Sequence, residues 1–173
     1  LYKEDIEGSI AHAKMLARQG IVSTEDGEAI VSGLQKILED IEAGEVEFRT
    51  DAEDIHINVE TLLIERIGEA GKRLHTARSR NDQIALDMRM YMKESIRSNL
   101  MELCRLETAL LDSAEAHLHT VMPGYTHLQK AQPITLAHHL LAYVEMFSRD
   151  MSRLRDCYER TNVMPLGSGA LAT

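Results

Sequence analysis

Apolar positions fall at helical spacing almost from the start of the chain. Ile6, Ile10, Ala13 and Ala17 recur at steps of four and three, which predicts a helix over residues 2–18 that Gly20 closes. Ser23, Thr24, Glu25 and Asp26 read as a capping box, a hydroxyl that accepts from first-turn N–H groups followed by carboxylates at the positive end of a helix. The helix it opens runs to about residue 43, stops at Gly44, and turns Ile30, Leu34, Ile37 (or Leu38) and Ile41 inward. Asp51 is placed to cap a third helix carrying Ile55, Val59, Leu62 and Ile67, which ends between Gly68 and Gly71. Only the residues around Val46 and Phe48 hint at extended chain, and no repeat or low-complexity tract interrupts the pattern.

The second half carries two long periodic runs. From Gln83 to Met122 there is neither Gly nor Pro, and Met88, Met92, Ile96, Leu100, Leu103, Leu106, Leu110 and Ala114 follow at steps of three and four. This pattern predicts one helix, its methionines serving as core rather than as a cofactor box. Pro123-Gly124 stops it, and a polar loop is expected as far as Pro133. Beyond, Ala137, Leu140, Val144, Phe147, Met151, Leu154 and Tyr158 alternate steps of three and four, a heptad seam that ends before Pro165. A helix from Gln83 to about Thr120 spans roughly 57 Å at 1.5 Å per residue. A compact domain of this size has a radius of gyration of only about 16 Å, so the helix must protrude and its seam calls for partners. The expected fold is all-α: a small N-terminal helical domain over 1–71, then, over 72–173, the first long helices of an oligomeric bundle.

Composition narrows the class further. Aromatics are 4% of the 173 residues and Trp is absent, which favours helices over sheets, while 44% hydrophobic residues exclude a disordered acidic tail. A net charge of −9, from 19 Lys and Arg against 28 Asp and Glu, argues against a nucleic-acid binder but not against a small anionic ligand. No apolar run reaches membrane-spanning length and Leu1-Tyr2-Lys3-Glu4-Asp5 is no signal peptide, so no membrane association and a cytoplasmic location are expected. Cys104 and Cys157 lie far apart within helical patterns and are expected to be reduced, buried thiols. A first residue other than Met and a last stretch of Gly167-Ser168-Gly169-Ala170-Leu171-Ala172-Thr173 are the expected marks of a piece of a longer protein.

Two polar segments flank the first long helix. Before it stands His75-Thr76-Ala77-Arg78-Ser79-Arg80-Asn81-Asp82-Gln83, with two guanidiniums, two hydroxyls, an Asn and an imidazole against a helix N-terminus. Free N–H groups, the dipole's positive end and bidentate Arg make such a segment an anion-binding loop; alternatively Asn81 or Asp82 merely caps the helix and the arginines are solvated. After the helix, His127 sits among the hydroxyls, amides and lysine of residues 123–133, an acid–base candidate by its near-neutral titration, or a plain surface histidine. The remaining histidines point to no metal. His117 and His119 diverge by about 200° around a helix, His138 and His139 are adjacent, and His56 and Glu60 lack a metalloprotease context. Gly167-Ser168-Gly169 is no phosphate-binding loop, and Ser9 and His12 carry no assignment beyond their spacing.

The two segments together bear a specific resemblance. HTARSRNDQ (75–83) followed by PGYTHLQKAQP (123–133) resembles the argininosuccinate lyase family, which includes the lens δ-crystallins, and DAEDIH (51–56) and NVMPLGSGALA (162–172) match its pattern in the same order. The resemblance implies a cofactor-independent β-elimination that splits argininosuccinate into arginine and fumarate, a step of arginine biosynthesis and the urea cycle. It implies that Asn81 and Thr126 contact the substrate, that Ser79 and Arg80 help hold its carboxylates, and that His127 is the acid–base histidine, taking or relaying the proton. His56 and His75 would lie near the site, with no metal and no cofactor. The family forms homotetramers whose active sites draw on three subunits. Helix length adds an expectation of its own: segments at its two ends cannot share one small molecule within one chain, so if both bind it they come from different subunits.

The family's third motif, a Gly-Ser-Ser-x-Met-Pro-x-Lys-x-Asn loop with the serine favoured as base, is expected beyond Thr173, so this stretch alone is expected to be inactive. The rival readings are a δ-crystallin-type structural role, another fumarate-forming lyase, and a helical scaffold with no ligand.

Overall fold

The computed structural model describes residues 1–168, and the end of the NVMPLGSGALA motif lies outside the described residues. Helices dominate, as expected: α1 (Tyr2–Arg18), α2 (Thr24–Glu42), α3 (Ile55–Ile67), the single turn α4 (Glu69–Lys72), α5 (Arg80–Ala116) and α6 (Leu136–Thr161). A 3₁₀ turn, Arg73–His75, follows α4, and two strands, β1 (Val121–Thr126) and β2 (Gln129–Thr135), separate α5 from α6. The chain divides into two compact units, one of Leu1–Tyr91 with the described residues from Met164 onward, the other Met92–Val163. Among the described residues no helix is long and apolar enough to cross a membrane.

The first unit packs α1, α2 and α3 around a core of Ile6, Ala13, Ile30, Leu34, Ile37, Val59, Leu63 and Leu74. Ser23 caps α2 as predicted: its Oγ accepts from the Asp26 N–H at 3.1 Å and donates to Asp26 Oδ2 at 2.8 Å. The cap of α3, however, is Asp54, whose Oδ1 accepts from the Ile57 N–H at 2.8 Å. Asp51 lies too far upstream to reach that first turn and pairs instead with Arg49 at 2.8 Å. The chain around Val46 and Phe48 forms no strand. Its backbone is satisfied from α3, where Asn58 Oδ1 accepts from the Arg49 N–H at 2.8 Å.

Helices α1 and α2 touch where Gly27 faces Ala17. A Cβ on Gly27 would stand 2.6 Å from the Ala17 Cβ, which is fixed to backbone and cannot swing aside. Gly27→Ala gains helix propensity but overpacks this crossing, so a net loss of about 1–2 kcal/mol is expected in urea unfolding.

In the second unit α5 and α6 run antiparallel with side chains meeting in register. Lys93 Nζ donates to Asn162 Oδ1 at 2.5 Å, Arg97 Nη2 to the Tyr158 hydroxyl at 2.7 Å, and Cys104 Sγ lies 3.7 Å from Met151 Sδ. Lys93 and Arg97 also sit 5.5 and 5.3 Å from the Tyr158 ring centre, a cation–π pair of contacts. Ile96, Ala114, Ala137 and Met151 are buried. The inward stripe of α5 differs from the expected one: Met88, Met92 and Leu106 are exposed. Successive steps of four advance about 40° past a full turn each, so residues 88 and 92 wind away from Ile96, and the inner line runs through residues 96, 100, 103, 107, 110 and 114, passing Leu106 on its Glu107 side. Both cysteines are exposed rather than buried, Cys104 even though its sulfur touches Met151.

Helix α5 ends at Ala116, short of Thr120, in a turn where His117 Nδ1 meets Thr120 Oγ1 at 3.0 Å. The expected polar loop then proves to be a hairpin, β1 antiparallel to β2, with an irregularity between Gly124 and Tyr125. Pro123 faces Pro133, so both missing N–H donors fall on one rung of the ladder.

Candidate functional site

The 75–83 segment is assembled from the first unit's helices. Ser79 is the N-cap of α5: its carbonyl accepts from the Gln83 N–H at 3.1 Å and its Oγ from the Asn81 N–H at 3.3 Å. Capping therefore falls to Ser79, not to Asn81 or Asp82, and Arg80 becomes the first residue of the helix. Arg80 is held at both ends of its fork, Nη2 on Glu60 Oε2 at 2.6 Å and Nη1 on Gln83 Oε1 at 2.7 Å. Asn81 is exposed. His75 Nδ1 lies 3.7 Å from Glu60 Oε2; burial lowers its pKa and Arg78 and Arg80 lower it further, against the pull of Glu60.

Arg78 behaves differently from the expected solvated cation. It is buried, its Nη1 donates to Ser9 Oγ at 2.9 Å, and burial pushes its pKa down while Asp5 supports the charge. His12 Nε2 meets the Thr76 carbonyl at 2.9 Å, so α1 braces the segment through two residues that spacing alone left unassigned. The signal was present: Asp5, Ser9 and His12 recur at steps of four and three beside the apolar stripe, a polar line on a buried helix face.

His56 is buried beneath this segment, its Nδ1 3.1 Å from Asp5 Oδ1 and 3.3 Å from Asp87 Oδ2. All three residues are at most 3% exposed. The Gln83 amide donates to Asp5 Oδ1, so Gln83 joins this cluster to Arg80. The Asp5 carboxylate, outweighing burial, raises the His56 pKa. Burial, then the charge of Asp5, pushes the Asp87 carboxyl up to about 7, with His56 and Arg78 pulling the other way. The donor atoms lie within 4.8 Å of one another, close enough to hold a cation. His56 and Arg78 already supply positive charge beside these carboxyls, however, and an added cation would face Arg78.

Thr126 closes β1, and His127 and Leu128 form the hairpin turn with φ of 48° and 63°. Two left-handed residues in a two-residue connection are the geometry that matches strand twist, usually supplied by Asn-Gly. Leu128 is 94% exposed. Leu128→Asn, which tolerates this backbone better, is expected to raise stability by up to about 1 kcal/mol in thermal unfolding. A groove beside the hairpin is lined by Gly124, Tyr125, Thr126 and His138, while His139 stacks edge-on against Tyr143 with ring centres 5.3 Å apart. His75, Ser79, Arg80 and Asn81 thus cluster at the start of α5 with His56 below them, and Thr126 and His127 share the hairpin tip.

Helices, with a capped, arginine-bearing helix start and a histidine-tipped hairpin, set the class of fold. Comparison with known proteins gives the family: the lyase family's sequence profile matches residues 1–173, and the chain belongs to that family. It is 64% identical to an argininosuccinate lyase of Heliobacterium mobile over 99% of this chain and 38% of that protein. It is 65% identical to an argininosuccinate lyase of Moorella thermoacetica over 99% of this chain and 37% of that one. An EDDS lyase variant with bound fumarate shares the fold with a TM-score of 0.83 at 33% identity, over 99% of this chain and 33% of its own. The chain therefore spans under two-fifths of the length of the relatives it matches.

Proposed function

We propose that this chain is the N-terminal part of an argininosuccinate lyase, releasing arginine and fumarate from argininosuccinate by β-elimination without a cofactor. The observation that carries the reading is the identity of about two-thirds to proteins of that name across 99% of the chain. In this reading the α5 start is the carboxylate end of the site. Arg80 and Asn81 stand in the first turn, where the helix dipole and free N–H groups favour an anion, and Ser79 orders that turn by capping it. These donors stabilise the carbanion-like intermediate formed when the proton beside a carboxylate leaves, because its charge spreads onto the carboxylate they hold. Thr126 contacts the substrate, and His127 is the acid–base group that takes or relays a proton. His75 borders the site. His56, buried between two carboxylates, acts from beneath it.

In the same reading the Arg80 and His127 segments that meet on one small substrate are supplied by different subunits. The reading therefore includes a homo-oligomer, a tetramer with shared sites, in the cytoplasm. Exposed Tyr91, Met101, Leu111 and Met146 along α5 and α6 support such packing. It also includes a domain division near Gly71, with the catalytic serine loop supplied from beyond Thr173. The test is fumarate release from argininosuccinate, followed by ultraviolet absorbance, with the parent protein extended through that loop. Release establishes the lyase. A folded, tetrameric parent that releases none overturns it in favour of a structural, crystallin-like role.

A further inference from the structure

We propose that Asp87, with His56 and Asp5, forms a buried proton store under the first turn of α5, and that carboxylate binding at Arg80 and Asn81 is coupled through Gln83 to proton uptake there. The inference rests on the site reading above and assigns Asp87 a positioning role that the reaction chemistry does not require.

Three observations carry it. Both Asp87 carboxylate oxygens are buried without a hydrogen-bond partner, although His56, which pairs with Asp5 Oδ1 at 3.1 Å, stands only 3.3 Å from Asp87 Oδ2. A group of this kind that merely braced the fold would be satisfied by donors. Next, the cluster touches the helix start directly: one Gln83 amide donates to Asp5 and accepts from Arg80 Nη1 at 2.7 Å, so a change of charge below is two hydrogen bonds from the anion-binding guanidinium. Last, the surroundings set the charge count. Asp5 and Glu4 face it from α1, His56 and Asp54 from α3, and Arg78 from the segment before α5. Losing the cluster's proton adds negative charge beneath a site meant for carboxylates.

Linkage then fixes the sign. An anion bound at Arg80 favours the protonated cluster, and by reciprocity the protonated cluster favours the anion. The carboxyl of Asp87 lies near 7 and His56 is raised, so the proton exchanges around neutrality. Affinity for a dicarboxylate should weaken as pH rises through that range, up to about tenfold for each unit by which the bound anion raises the store's pKa.

The test uses the parent protein and fumarate as the probe, by calorimetry near pH 7 in buffers of different ionisation enthalpy, together with KM and kcat for argininosuccinate between pH 6 and 8.5. Wild type is expected to take up about half a proton per fumarate, and its KM to rise several-fold with pH. Asp87→Asn should abolish both the uptake and the KM trend while kcat stays within about twofold of wild type. Gln83→Met should weaken the coupling but keep the cluster's own titration, read as the pH dependence of the unfolding midpoint. Uptake and KM profiles in Asp87→Asn that superimpose on wild type overturn the proposal. If the parent neither cleaves argininosuccinate nor binds fumarate, the lyase reading and the coupling fall together. The store itself is then judged on the unfolding midpoint alone: it stands if the midpoint falls from pH 5 to 8 in wild type and this trend is flattened in Asp87→Asn, and it falls if the two trends coincide.

Discussion

In the parent protein His127→Asn is expected to lower kcat for fumarate release by about 10²–10⁴-fold, the range for loss of a positioned acid–base group. Asn keeps the polarity of the turn and suits its left-handed backbone, so the hairpin should survive the change. KM should move little, because binding rests on the donors at the α5 start. Steady-state kinetics on a variant confirmed as tetrameric checks this. A kcat within about threefold of wild type would remove His127 from the proton path, since even a weak general acid–base contribution exceeds that factor.

The second large effect concerns stability. Arg78→Met should destabilise the first unit by about 1–3 kcal/mol, from the lost hydrogen bond to Ser9 and the lost positive charge near Asp5 and Asp87. The pH dependence gives the signature. With the guanidinium gone, ionising Asp87 next to Asp5 becomes costlier, and its carboxyl, already near 7, moves higher. A carboxyl raised in the folded state costs stability as pH climbs from its unfolded value towards its folded one. The loss should thus be smaller near pH 5.5 than at pH 8, as denaturant unfolding at the two pH values would show. An equal loss at both would mean that Arg78 acts by packing alone.

What could be read from the chain alone follows the physics of each element. The boundaries of α1 and α2 were legible because Gly20, Ser23 and Gly44 are strong local punctuation. The cap of α3 was misplaced because two aspartates, Asp51 and Asp54, stand three residues apart and only the fold decides which reaches the Ile57 N–H. The hairpin was hidden because its turn is His127-Leu128 rather than Asn-Gly and its strands carry prolines, features that tertiary context overrides. The candidate site residues were visible as motifs, yet Ser79 as the cap and Arg78 as a buried residue were not, since burial is a long-range property. The Asp5, His56 and Asp87 cluster draws on three helices far apart in sequence, and the Asp5-Ser9-His12 line was its one local trace.

The contacts between α5 and α6 have an evolutionary corollary. Residues 93, 97 and 104 meet 162, 158 and 151, pairs whose numbers share one sum. An insertion in either helix between these rungs would break that match unless its opposite number changed in step. Relatives of this chain should therefore concentrate their length differences between α5 and α6 in the connecting hairpin's flanks. The helices themselves should hold their residue count like the teeth of meshed gears.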